Sequence, residues 1–405
     1  MKKRITISTA ITLMFVAMTV TFCLTMIAST RIFEAKVQSV NEKEVMYDKI
    51  SDIDQTVRQN FYAPVLDDKV LESMAAGYIQ GLSDSESKYY SSEEVTEYQQ
   101  MLDGKIIGIG MDFVKSREDS GYMKVYNVYA ESPADIQGIV ADDMITAING
   151  QSTINMSVET AEEMLSGVSG ENVTITYIHD GSETSATLTH KAYDAPSVSY
   201  EVFESYGYIK ISNFSAKTAS ELDYATNNLL SQGAQAMVVD LRNNDDKDFD
   251  SAADAADVLL AEGTTMYAVY NDGERKVLYT SDKNSVSVPI VVITNSGTGY
   301  AAEMFATMVK DSAGAKSVGT RTMGKGSLQK MFRLPDGSGV ELTVAILSPI
   351  TSSEYNGAGI APDYEKVLET AQEQYFYTLT VETDPQIQRA FEVAQNLIGN
   401  QTNQG

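Results

Sequence analysis

From Ile5 to Thr30 the chain carries no charge, and regular alternation of apolar and polar positions begins only beyond it. That run, ITISTAITLMFVAMTVTFCLTMIAST, exceeds the ~20 residues that a bilayer-spanning helix needs. It is too long for the apolar core of a signal peptide. It predicts a transmembrane signal anchor over 5–30, behind a tail of residues 1–4. Residues 37–103 then read as helical. Met46, Ile50, Ile53 and Val57 form one apolar stripe at helical spacing. Pro64 interrupts it by disfavouring helix at the residue before. A second stripe runs through Val70, Leu71, Met74, Ala75, Tyr78, Ile79 and Leu82, and the polar loop Ser83–Ser87 separates it from a short acidic helix beginning at Ser92.

At Lys105 the period shortens to that of strands. Ile106 to Phe113 joins an apolar stretch to the glycines Gly108 and Gly110. Asn149-Gly150 signals a tight turn between strands. Ser157 is placed to cap a helix carrying Val158, Ala161, Met164 and Leu165, which Gly167 can end. Val173–Tyr177 alternates as a half-buried strand. This order resembles a PDZ domain over 104–193. The resemblance makes Ile107, Gly108, Ile109, Gly110 and Met111 the loop that holds a terminal carboxylate, with the peptide added as an extra strand. Asp142 stands where relatives place glycine.

Residues 200–370 read as α/β. Ala236–Leu241 and Pro289–Thr294 are apolar runs of buried-strand length, with helical patterns over 219–230, 251–262 and 301–310. Residues 371–405 complete the chain as a helical tail.

Charge and rare residues narrow the chemistry. With 56 acidic against 30 basic side chains, the net charge of -26 repels phosphate backbones and disfavours nucleic acid. One cysteine, Cys23, excludes a disulfide framework and a Cys-rich zinc site. Nothing calls for a metal or an organic cofactor. His179 and His190 both fall in strand patterns and read as surface residues, so a His-based catalytic triad is not expected. Lysine is the base that remains. Lys2, Lys3 and Arg4 ahead of the apolar run place the N-terminus in the cytoplasm and the bulk of the chain outside, at the cell membrane.

Four blocks carry a more specific resemblance: Gly207–Ser215, Asp240–Asn244, Thr322–Gln329 and Gly359–Asp363, with an echo at Asp384–Ile387. In this order they resemble the carboxy-terminal processing (tail-specific) serine peptidases. The family implies a crotonase- or Clp-protease-like α/β domain beside the mostly-β PDZ domain and the N-terminal transmembrane helix. It also implies a serine nucleophile, a lysine base at Lys325 and a glutamine at Gln329 that orients the lysine. Such a base must be neutral to act, and the oxyanion needs backbone donors.

The sequence departs from that pattern twice. Relatives carry the nucleophile within Asn-x-Gly-Ser-Ala-Ser-Ala-Ser-Glu. Here Asn295–Glu303 reads NSGTGYAAE, and keeping Glu303 in register puts Tyr300 at the nucleophile position. Where relatives have Pro-Gly-Gly after Leu-Arg-Asn-Asn, this chain has Asp245-Asp246-Lys247. The oxyanion region thus becomes Ala301, Asp246 and Lys247, without the glycines that move freely into positive φ. A tyrosine hydroxyl stands roughly 4 Å farther out than that of serine. Thr298 and Ser296 do not keep the spacing to Lys325. The expectation is a membrane-anchored, extracytoplasmic pseudopeptidase. Its PDZ module binds protein C-termini or unfolded polypeptides, and Tyr300 plugs the cleft and bonds Lys325. It would scaffold or regulate an active relative, or act as a homo-oligomer. The alternative is an active endopeptidase with rearranged Ser/Lys chemistry.

Overall fold

The computed structural model describes residues 14, 18–22, 24–26, 29, 45–115, 121–282, 285–374, 376 and 379–402. The chain divides into two compact units, Met1–Met74 and Ala75–Gly405. In the first, residues 45–60 are helical and a second helix starts at Asp67. Arg58 joins Asp54 and Asp67 across the Pro64 break. Ile53, Val57, Phe61 and Leu66 remain exposed, so the apolar stripes predict the helices correctly but not a burial partner.

The expected transmembrane helix is corrected. Among the described residues no helix is long and apolar enough to cross a membrane. The remainder of the 5–30 assignment lies outside the described residues.

In the second unit the 104–193 region forms a β-sheet capped by the helix Val158–Leu165. Asn149 and Gly150 take φ of 47° and 79°, the positive values a two-residue hairpin turn demands, and Ile148 pairs with Gln151 across them. Ser157 caps the helix by accepting from the Thr160 N–H. Met123, Val125, Ile145, Ile148, Ile175 and Leu188 fill the core. His190 is also buried here, contrary to the surface reading. Its ring nitrogens face the carbonyls of Glu171 and Leu165 at 2.9 and 2.8 Å, a structural role that strand periodicity does not reveal.

The α/β region holds a six-stranded sheet in the order Val198–Phe203, Tyr206–Ile211, Ala236–Asp240, Ile290–Thr294, Lys316–Gly319, Tyr364–Glu365. Its first pair is antiparallel and the rest are parallel. Alternate residues serve opposite faces. Met237, Val239, Ile290 and Val292 pack with the helices Thr218–Ser231, Phe249–Asp257 and Tyr300–Ala313. Val238, Val291 and Ile293 pack under the C-terminal helix Pro385–Thr402 through Ile387, Ala390 and Phe391. Burial on both faces explains the continuous apolar runs. A second, antiparallel sheet combines Lys88–Tyr90, Gly339–Ser348, Ser327–Arg333, Gly263–Tyr270 and Arg275–Ser281. Through its pairing Lys88↔Glu341, it carries the segment preceding the PDZ region into the α/β region.

Candidate active site

Three loops leave the carboxyl ends of parallel strands side by side, the usual place for a site in an open α/β sheet. They follow Asp240, Thr294 and Gly319. The first two are stitched together. The Asn295 side chain accepts from the Asn243 N–H at 3.0 Å and donates to its Oδ1 at 2.7 Å, while Thr298 Oγ1 donates to the Leu241 carbonyl at 2.9 Å. Thr298 is fully buried, so its hydroxyl is structural.

The helix Tyr300–Ala313 begins abruptly, with Tyr300 at φ 46°. A bulky side chain at positive φ costs of order 1–3 kcal/mol. Further along the first turn of that helix, buried Glu303 organises the third loop. It accepts from the Gly324 and Lys325 N–H groups, both at 2.7 Å, and from the Thr322 hydroxyl. The Ile360 N–H in turn donates to Thr322 Oγ1 at 2.7 Å. Burial raises the Glu303 carboxyl above its ordinary value despite these donors. Thus Glu303, the residue that sets the register of the nucleophile block, fixes the backbone that bears Lys325, and two of the resembling blocks interlock.

Lys325 and Tyr300 do come together, and their hydrogen bonds go to a third group, Glu86. Tyr300 OH donates to Glu86 Oε2 at 2.7 Å, and Lys325 Nζ donates to Glu86 Oε1 at 2.7 Å. Lys247 Nζ approaches the same carboxylate at 3.3 Å. The two ammonium groups lie 5.6 and 4.6 Å from the Tyr300 ring centre, within cation–π range. Burial raises the Glu86 carboxyl, but the hydrogen bonds from Lys325 and Tyr300 and the charge of Lys247 outweigh it and hold it below the ordinary range. Burial and the bond to Glu86 push the Tyr300 phenol upward. Gln329 turns away from Lys325. Its Nε2 donates to Ser327 Oγ at 3.0 Å, and Thr343 donates to its Oε1 at 3.0 Å.

The oxyanion region is equally committed. The Ala301 N–H, the donor adjacent to the nucleophile position, donates to the Asp246 carbonyl at 3.0 Å. Gly299 N–H donates to the Asn244 carbonyl at 2.9 Å. Burial pushes the Asp246 carboxyl up to about 6, with Asp248 and Asp245 nearby, although its Oδ1 accepts from the Asp248 N–H. A raised carboxyl binds its proton more tightly when folded, so stability falls as pH rises from about 4 to about 6. Asp246→Asn keeps the acceptor and removes that loss. Urea unfolding should show the variant more stable at pH 7 by roughly 2–3 kcal/mol, since each tenfold gain in proton affinity is worth about 1.4 kcal/mol. At pH 4 it should show no gain.

In the 104–193 region, residues 107–111 sit at a groove of about 320 Å³, lined also by Tyr126, Leu165 and Tyr193. The carbonyls of Ile109 and Gly110 accept from the N–H groups of Ala134 and Tyr129, which holds the loop in place. Gly110 has φ 77°, and a Cβ there would stand 2.0 Å from that of Ser132. Met111–Lys115 is an edge strand of its sheet, able to accept a further strand.

Glu86 is the site residue that sequence reasoning misses. It belongs to a polar loop 239 positions before Lys325, and neither periodicity nor spacing links the two. Only the pairing of Lys88–Tyr90 with Gly339–Glu341 brings it in.

This is a PDZ module joined to an α/β domain of the serine-peptidase type. Residues 205–366 match peptidase family S41, and residues 124–178 match a PDZ domain. The chain is 30% identical to a carboxyl-terminal-processing protease of Picosynechococcus, over 77% of this chain and 76% of that protein. It is 28% identical to the carboxy-terminal processing protease CtpA of Bacillus subtilis, over 82% and 71%. A solved structure of the photosystem II D1 C-terminal processing protease shares the fold, with a TM-score of 0.51 at 23% identity, covering 83% of this chain and 91% of that one. The chain belongs to peptidase family S41, among the carboxy-terminal processing proteases.

Proposed function

We propose that this family member holds polypeptide C-termini without hydrolysing them, capturing them in the PDZ groove and serving as a scaffold or regulator for active relatives. The observation that carries the reading is the Ala301 N–H. In an acyl-transfer site this donor must face the developing oxyanion, and here it faces the Asp246 carbonyl. Tyr300 in place of serine, with its hydroxyl on Glu86, supports the same conclusion from the nucleophile's side. Both departures lie in one site.

The test uses the full chain and peptides ending in an apolar residue, as free acids and as amides. Calorimetry should show the acid bound at least ten-fold more tightly than the amide. Gly110→Ala should remove the difference. Mass spectrometry of the recovered peptide should find it intact. Fragments that vanish in Lys325→Ala would overturn the reading in favour of an active endopeptidase, and equal binding of acid and amide would overturn the C-terminal capture.

A further inference from the structure

Resting on the reading that no bond is broken at this site, we infer that Tyr300, Lys247 and Lys325 form a receptor for a carboxylate, which Glu86 fills in the resting protein and a ligand carboxylate takes over. Three loops converge on one group. Lys325 Nζ meets one oxygen of Glu86 at 2.7 Å, while Tyr300 OH and Lys247 Nζ meet the other at 2.7 and 3.3 Å. Two ammonium groups and a phenol donor around a single carboxylate are more than an acidic side chain needs for anchorage. They are the charge-assisted donors that carboxylate recognition uses. In a chain with nearly twice as many acidic as basic side chains, two of the lysines converge on this one carboxylate.

The two departures from the family pattern also acquire one purpose. Lys247 belongs to the segment that replaces the glycine loop, and Tyr300 occupies the nucleophile position. A plug would require the ring alone. Here the ring also lies beneath both ammonium groups, at 4.6 and 5.6 Å, and its hydroxyl joins them on the carboxylate.

The occupant is suited to leave. Glu86 sits on an irregular loop after Ser83, whose φ is 58°, and regular pairing begins only at Lys88. Its backbone is fixed locally, through the Glu86 N–H to Asp84 Oδ1 at 3.2 Å and Ser87 Oγ to Asp84 Oδ2 at 2.6 Å. The side chains of Lys325 and Lys247 remain 38% and 32% exposed, so an incoming carboxylate reaches them from solvent. The exchange is non-covalent: one carboxylate replaces another on the same three donors. A C-terminal carboxylate and an acidic side chain share this chemistry.

The experiment titrates the full chain with N-acetyl-trialanine as free acid, with its amide, and with an N-acetyl-Ala-Glu-Ala amide that carries only a side-chain carboxylate. Glu86→Ala should bind the free acid at least ten-fold more tightly than the unaltered chain. Glu86→Gln, which keeps the loop's shape, should give a smaller gain and guards against misfolding of the alanine variant. Adding Lys247→Met and Lys325→Met to Glu86→Ala should return the affinity to its starting value. Those lysines lie outside the PDZ groove, so dependence on them assigns the binding to this site. The trialanine amide should not gain. A gain for the Glu-containing amide equal to that for the acid identifies side-chain carboxylates as ligands, and a gain for the acid alone identifies C-termini. Intact peptide with no gain in either Glu86 variant, or a gain that survives removal of both lysines, overturns this inference alone. Recovered peptide fragments overturn it together with the non-hydrolysing reading.

Discussion

Arg242→Met is expected to lower the unfolding free energy by about 3–5 kcal/mol, the cost of leaving buried carboxylates without their countercharge. Arg242 is 3% exposed and Asp240 and Asp384 are each 1% exposed. Its Nε donates to both Asp240 oxygens at 2.9 and 3.0 Å, and Nη1 donates to Asp384 at 2.7 Å and to Gln386 Oε1 at 2.8 Å. Tyr208 OH completes Asp240 at 2.8 Å. Asp384 Oδ1 in turn accepts from the N–H groups of Gln386 and Ile387, where the C-terminal helix begins. The guanidinium therefore clamps that helix to the sheet it covers. The loop it leads into supplies the Asn244 and Asp246 carbonyls of the site.

The pH dependence gives a second readout. Burial raises the Asp240 carboxyl, but Arg242 outweighs it and holds the group below its ordinary value. A depressed carboxyl stabilises the fold fully above about pH 4, and that contribution is lost as pH falls further. Without the guanidinium, burial outweighs the remaining donors, the Tyr208 hydroxyl and the backbone N–H of position 242, and the sign reverses. The gap between Arg242→Met and the unaltered chain, followed by urea unfolding, should therefore widen from pH 5 to pH 8. Adding Asp240→Asn and Asp384→Asn should recover part of the loss, because uncharged groups need no countercharge. A variant as stable as the parent at pH 8 would show that the clamp contributes nothing.

What the sequence discloses follows its physics. Strands buried on both faces are legible because every position must be apolar, so Ala236–Asp240 and Ile290–Thr294 lie almost to the residue where the apolar runs place them. Turn chemistry marks Asn149-Gly150, and capping marks the start at Val158. The sheet containing Gly263–Tyr270 and Gly339–Ser348 is not legible in the same way: apolar runs at Met266–Tyr270 and Val344–Leu347 are present, but nothing local says which strands pair across so long a separation. The blocks at Asp240 and Asp384 are separately recognisable, and only the fold shows that they meet at Arg242. Register alone makes Tyr300 and Lys325 neighbours, as they are. The group between them stays hidden because Glu86 arrives through a strand pairing of long sequence separation.

Tyr300→Ser, the substitution that restores the family's nucleophile, is expected to yield no turnover. A serine fits the helix start at least as well as tyrosine, since a smaller side chain relieves crowding at φ 46°, so the fold should be retained. Two obstacles remain. Lys325 Nζ still donates to Glu86, so its lone pair is not offered to the serine. The Ala301 N–H still faces the Asp246 carbonyl, and loss of one oxyanion donor costs about 10²–10³ in rate. Removing the first with Glu86→Ala leaves the second, so that double variant should also leave a free-acid peptide intact over days, as followed by mass spectrometry. Replacing Asp245 and Asp246 by glycine in the same background lets the loop re-form with its carbonyl turned away, and it is the first combination in which fragments are expected. Cleavage by Tyr300→Ser alone would mean that the Asp246 carbonyl yields its donor readily, and the proposed inertness of the site would then rest on one side chain.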